Sequence, residues 1–214
     1  MTDKLQADQV FATTTVVSGD LHHRLLTRPG MQAMVVIPTS VHDHGKENDP
    51  EFFFVGHLCM YLLEQGISCL LTEIITPKED ADHRYRMDEE LHTRRLLFAL
   101  NQTEQQYSIP HRPTGLAGIG ARGVCCLLAA RRFPDRVQAV ANVDLPPDDQ
   151  ARFTNKLRIP VRFENPGTIN SHPSTLRAAY QDCARHLACW FRRNLEKKSL
   201  TFASDPLQAT SVLS

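Results

Sequence analysis

Apolar residues along this chain fall into two kinds of run. Short, near-continuous runs occupy 31–38 (MQAMVVIP), 67–75 (ISCLLTEII) and 137–144 (VQAVANVD). Their length and lack of polar alternation predict strands covered on both faces. Between them, apolar positions recur every three or four residues. EFFFVGHLCMYLLEQG (51–66), closed by Gly66, and MDEELHTRRLLFALNQTEQQ (87–106) therefore read as helices. The segment 172–195 predicts the last long helix, with Leu176, Tyr180, Cys183, Leu187 and Trp190 on one face.

VFATTTVV (10–17) and LHHRLLTR (21–28) flank Ser18-Gly19-Asp20 and predict a β-hairpin; RIPVRFEN (158–165) predicts a further strand. Three polar stretches, 39–50, 76–86 and 145–156, read as loops. Strands alternating with helices predict an α/β fold: a mostly parallel sheet with helices on both faces, extended by the hairpin as an antiparallel addition. One domain is expected over 10–195, with tails at 1–9 and 196–214.

Residues 115–144, GLAGIGARGVCCLLAARRFPDRVQAVANVD, read as strand, glycine turn, helix and strand. Gly118, Gly120 and Gly123 have the G-x-G-x-x-G spacing of a dinucleotide-binding turn, and Asp144 stands 21 residues beyond Gly123, where a ribose-binding carboxylate would be. The motif nevertheless follows two βα units instead of opening the fold. Three glycines that let a helix pack closely behind a strand are the simpler account.

The order of pieces along 10–195 resembles the dienelactone-hydrolase-like branch of the α/β-hydrolases. The matching segments are AMVVIPTSVHDHG, LLEQG, CLLTEIITPKEDADHRYRMDEEL, RRLLFALN, FPDRVQAV, LRIPVRF and the closing CARHLACWFRRNL. The resemblance implies that the glycine turn is a nucleophile elbow, G-x-S-x-G, here written G-I-G-A-R (118–122). Gly120 then stands where an attacking serine or cysteine belongs, and a one-residue slip places Ala121 there instead. Arg122 replaces the second glycine, where it is read as facing solvent or holding an anion.

By the same resemblance His172 is the remnant of the catalytic histidine. Asp144 or Glu164 is the remnant of the acid. An oxyanion-like pocket is expected from Thr39, Ser40 and His44 after the first parallel strand, with Gly118, Ile119, Gly120, Ala121 and Arg122 at the elbow. The stretch between RIPVRFEN and His172 is only a few residues long, so the sheet is expected to be shortened at its C-terminal end.

Composition narrows the field. The 24 basic side chains balance 24 acidic ones, which gives no general attraction to nucleic acid or to an anionic membrane. The six cysteines form no C-x-x-C pair, and Cys125 and Cys126 sit inside an apolar run, so buried reduced thiols in a cytoplasmic protein are expected. His42, Asp43 and His44 could supply zinc ligands, but the spacing is unspecific, and no metal or cofactor is expected. Of His22 and His23 on the hairpin, one should face solvent.

These features together predict an α/β-hydrolase-like domain that has lost its nucleophile and serves as a binding or interaction scaffold. A small molecule or another protein, a second copy of the chain included, would be its partner. The alternatives are an ester or lactone hydrolase with an atypical mechanism, using water or Ser40, and nucleotide binding at the glycine turn.

Overall fold

The computed structural model describes residues 12–18, 21–39, 50–106, 112–153, 156–166 and 173–202. The hairpin is β1 (Ala12–Ser18) and β2 (Leu21–Thr27), paired from Ala12–Thr27 to Ser18–Leu21. The apolar runs supply β3 (Ala33–Thr39), β4 (Ile67–Glu73) and β6 (Val137–Val143). The glycine-bearing strand β5 (Thr114–Ile119) and the short β7 (Val161–Glu164) complete one seven-stranded sheet, ordered β1-β2-β4-β3-β5-β6-β7. Strands β3 to β7 run parallel, while β2 joins β4 antiparallel, as the hairpin reading expects.

Every residue of β3, β5 and β6 is buried, because helices cover both faces of the sheet. On one face lie α1 (Pro50–Glu64) and α7 (Pro173–Phe202). Phe54, Leu58 and Leu62 of α1 meet Leu187, Phe191 and Leu195 of α7 over Val35 and Ile37. On the other lie α4 (Glu89–Gln106) and α5 (Arg122–Arg132), where Leu96, Leu100 and Leu127 cover Val36, Leu70 and Leu116. Burying each such side chain contributes about 1.5–3 kcal/mol.

Three expectations are corrected. The charged stretch 76–86 is not a loop but two single-turn helices, α2 (Pro77–Asp80) and α3 (His83–Arg86). Thr76 caps the first through a reciprocal box with Glu79, and Asp82 caps the second. The Pro/Asp-rich stretch carries α6 (Pro147–Phe153), anchored by buried Phe153. Finally, α7 extends past residue 195, where the predicted last helix ends, to Phe202.

Glu79 does more than cap. It forms a two-bond ion pair with Arg95 of α4, at 2.7 Å for each contact, and Arg95 also donates to the Ile74 carbonyl. Those bonds hold the Glu79 carboxyl down at about 2. On β2, burial alternates: His22 is exposed, whereas His23 is buried, with Leu21 and Leu25 on its face. Neither ring nitrogen of His23 has a hydrogen-bond partner.

Candidate functional site

The turn between β5 and α5 is where sequence and resemblance converge, and its geometry follows from its glycines. Gly120 adopts φ +52°, a left-handed backbone that side chains with a Cβ adopt only with strain. Its N–H donates to the Val143 carbonyl at 2.8 Å, which fixes the turn beside the end of β6. Gly123 N–H then donates to the Gly120 carbonyl at 3.0 Å and Val124 N–H to Ala121 at 3.2 Å, opening α5.

Gly118 and Gly123 are needed for space. A Cβ built on Gly118 would lie 2.4 Å from the Gly123 Cα and 2.6 Å from the side-chain amide of Asn142. Asn142, fully buried on β6, fills that gap, its amide nitrogen donating to the Ala141 and Gly123 carbonyls at 3.2 Å. At Gly120 the situation is reversed: no described residue comes within 4 Å of where its Cβ would be.

That open space belongs to a cavity of about 400 Å³. Ile119, Gly120, Ala121 and Arg122 line it. Glu51 from α1, Ile74 and Ile75 after β4, and Asp80, His83, Arg86, Met87 and His92 from α2 to α4 complete the wall. Arg122 does not face open solvent, one of its two readings: it is half-buried and ion-paired with Glu51 across the cavity.

His92 was not singled out by the sequence. It is only 7% exposed; its ring bonds the Tyr85 backbone, and its Nε2 has no hydrogen-bond partner. Burial lowers its pKa, against the opposing pull of the Tyr85 bond and of Asp88. A signal did exist, since His92 shares the buried stripe of α4 with Leu96, Ala99 and Thr103. Glu51, His83 and Arg86 gave none, because which of them meets the turn depends on how distant segments pack.

The other expected site residues are placed as follows. Asp144 directly follows β6 at φ +53°, and its carboxylate accepts the Tyr180 hydroxyl from α7. Its N–H donates to the Glu164 carbonyl at 2.8 Å, while the Glu164 carboxylate pairs with Arg162 at 2.6 Å. Thr39 is buried at the end of β3 with its hydroxyl lacking a hydrogen-bond partner. Ser40, His44 and His172, together with His42, Asp43 and both distal tails, lie outside the described residues. Cys125 and Cys126 are buried in α5, and burial drives the Cys126 thiol well above its usual pKa, so it stays protonated. Among the described residues no cluster of His, Cys, Asp and Glu could hold a metal ion, and no helix is long and apolar enough to cross a membrane.

No family model and no curated protein sequence matches the chain. Solved structures do. A dienelactone hydrolase from Anabaena variabilis superposes with a TM-score of 0.67 at 20% identity, over 87% of this chain and 98% of the other. The chain has an α/β-hydrolase fold of the dienelactone-hydrolase type. A sugar hydrolase from Lactococcus lactis (TM-score 0.58, 11% identity, 86% and 99% covered) shares this α/β-hydrolase fold. So does a lidless α/β serine hydrolase from Xanthomonas campestris (0.54, 16%, 86% and 98%).

Burial of two histidines gives this α/β-hydrolase fold a pH dependence. His23 and His92 both have lowered pKa values, with desolvation the largest cause. As pH falls through about 6.5, the ordinary histidine value, the unfolded chain takes up protons that the native chain refuses. Stability is therefore complete above that pH and declines below it. The urea midpoint is expected to be lower at about pH 5.5 than at about pH 7.5, and equal midpoints would contradict the assignment.

Proposed function

We propose that this chain is a non-catalytic binding or interaction protein built on a hydrolase fold, with the cavity over Gly120 as its ligand pocket. One observation carries the reading. The residue at the apex of the β5–α5 turn holds a left-handed backbone but has no side chain, and no described residue fills the space above it. Nucleophilic catalysis needs an oxygen or sulfur projecting there, within reach of a base. The described residues lining the cavity include no Ser, Thr or Cys. The lining is instead charged and shaped, with Asp80, His83, Arg86 and the Arg122–Glu51 pair around an apolar floor of Ile74, Ile75 and Ile119. Such walls suit binding and orientation of a small polar molecule.

A second reading, hydrolysis by an activated water, is favoured by His92. Its unpartnered Nε2 and lowered pKa leave a neutral base at the cavity wall. One set of assays separates the two. The binding reading expects no labelling by a fluorophosphonate probe, and p-nitrophenyl acetate turnover no greater than that of Gly120→Ala or His92→Ala. Turnover lost in His92→Ala alone would establish the water mechanism, and stoichiometric labelling would place a nucleophile outside the described wall.

A further inference from the structure

We propose that the outer edge of β1 is an interface for a second copy of this chain, the two β1 strands pairing antiparallel about a two-fold axis at Thr15. Two seven-stranded sheets then join into one continuous sheet. This surface is separate from the cavity over Gly120, since β2, β4 and β3 lie between β1 and β5.

The contrast between the two edges of the sheet carries the inference. An edge strand turns the N–H and C=O of every second residue outward, a row that another extended strand complements. Such edges are ordinarily guarded by shortness, charge, proline or a bulge. The β7 edge has three of these guards: it is four residues long, carries Arg162 and Glu164, and follows Pro160. β1 has none. It is seven residues long, ATTTVVS, without charge or proline, and it pairs with β2 from end to end in one register. Among the described residues no strand pairs with its other side. Residues 13–17 are all threonine or valine, types that favour strand pairing.

A second copy of β1 is the occupant that this edge specifies. An uncharged strand meets its own copy without like-charge repulsion, and a two-fold axis makes the antiparallel pairing self-complementary. Because outward groups alternate, an outward residue must face an outward residue, which puts the axis on a residue instead of between two. Centring it on Thr15 engages the whole strand: Ala12 stands opposite Ser18, Thr13 opposite Val17 and Thr14 opposite Val16 of the other copy. The last two pairs are β-branched on both sides, which suits a pleated surface. The assembly closes at two, since pairing uses the unguarded edge of each copy and leaves the guarded β7 edges outermost.

The test is the oligomeric state of the full chain by sedimentation equilibrium. One strand pair is a small interface, so a weak dimer is expected, forming between about 10 μM and about 500 μM. Thr15→Lys and Thr15→Glu each put like charges opposite one another at the axis and should each weaken the dimer about tenfold. An equimolar mixture of the two should recover it, because opposite charges then meet. Within the hairpin the residue opposite Thr15 is Arg24, which is exposed, so both variants should keep the circular dichroism of the unchanged chain. Should either fail to fold, cysteine cross-linking in air carries the decision. Thr15→Cys should yield a disulfide-linked dimer, whereas Thr13→Cys, set off the axis, and the unchanged chain with its six cysteines should not. A monomer at about 500 μM, assemblies larger than a dimer, a mixture no more associated than its parts, or equal cross-linking at the two positions would each overturn the proposal. None of these outcomes bears on the pocket over Gly120, whose assays use separate probes and variants.

Discussion

Gly118→Ala is expected to destabilise the fold by about 3 kcal/mol or more, a large fraction of the stability of a domain this size. The added methyl would sit 2.4 Å from the Gly123 Cα and 2.6 Å from the Asn142 amide. Neither neighbour can retreat cheaply. Gly123 lies in the first turn of α5, and Asn142 is a fully buried residue of β6. Relief would require lifting the helix off the sheet. Gly120→Ala, two residues away, should cost only about 1–2 kcal/mol, the strain of a left-handed backbone with a Cβ, because no described residue lies in its way. Urea denaturation of the two variants checks the contrast. Equal losses would mean that close packing at the turn has been misjudged. If the contrast holds, the elbow keeps the room for a side chain at its apex even though it carries none.

Phe191→Ala should be comparably severe, at about 3–5 kcal/mol. The ring is fully buried and rests on Gly115 of β5, where any Cβ would stand 2.7 Å from it. It packs edge-on to Trp190, with ring centroids 5.1 Å apart, within the cluster that joins α7 to α1 and the sheet. Removing it leaves a cavity that this rigid surround cannot close. Phe52→Ala, on the outer side of α1 and 40% exposed, should change stability by less than about 0.5 kcal/mol. A Phe191→Ala variant melting like Phe52→Ala would refute the placement of α7. The effect should also reach the site, because α7 presents Tyr180 to Asp144 three turns upstream.

The legibility of the fold in the sequence followed the strength of local patterns. The apolar runs at 31–38, 67–75 and 137–144 became β3, β4 and β6, since a strand covered on both faces needs no polar alternation. The short helices α2, α3 and α6 were missed for the complementary reason. α2 and α3 bury no residue and α6 buries only Phe153, so none shows a hydrophobic period. Their marks were the caps instead, Thr76 with Glu79, and Asp82. In the candidate site the elbow residues 119–122 were readable because they are consecutive. Glu51, Arg86 and His92 were not, because they come from three other elements.

Read alone, the chain determined the alternation of strands and helices, the antiparallel hairpin at the start, and a glycine at the apex of the central turn. Each is local, written in the period of burial or in the one residue type that leaves the backbone bare. Only the folded molecule decided what meets across long separations: Glu51 with Arg122, Asp144 with Tyr180, and His23 against Thr72 with nothing to bond. Those encounters depend on strand order and on where helices cross the sheet. Periodicity can say that a side chain is buried, but the partner it finds there is set by the packing of the whole.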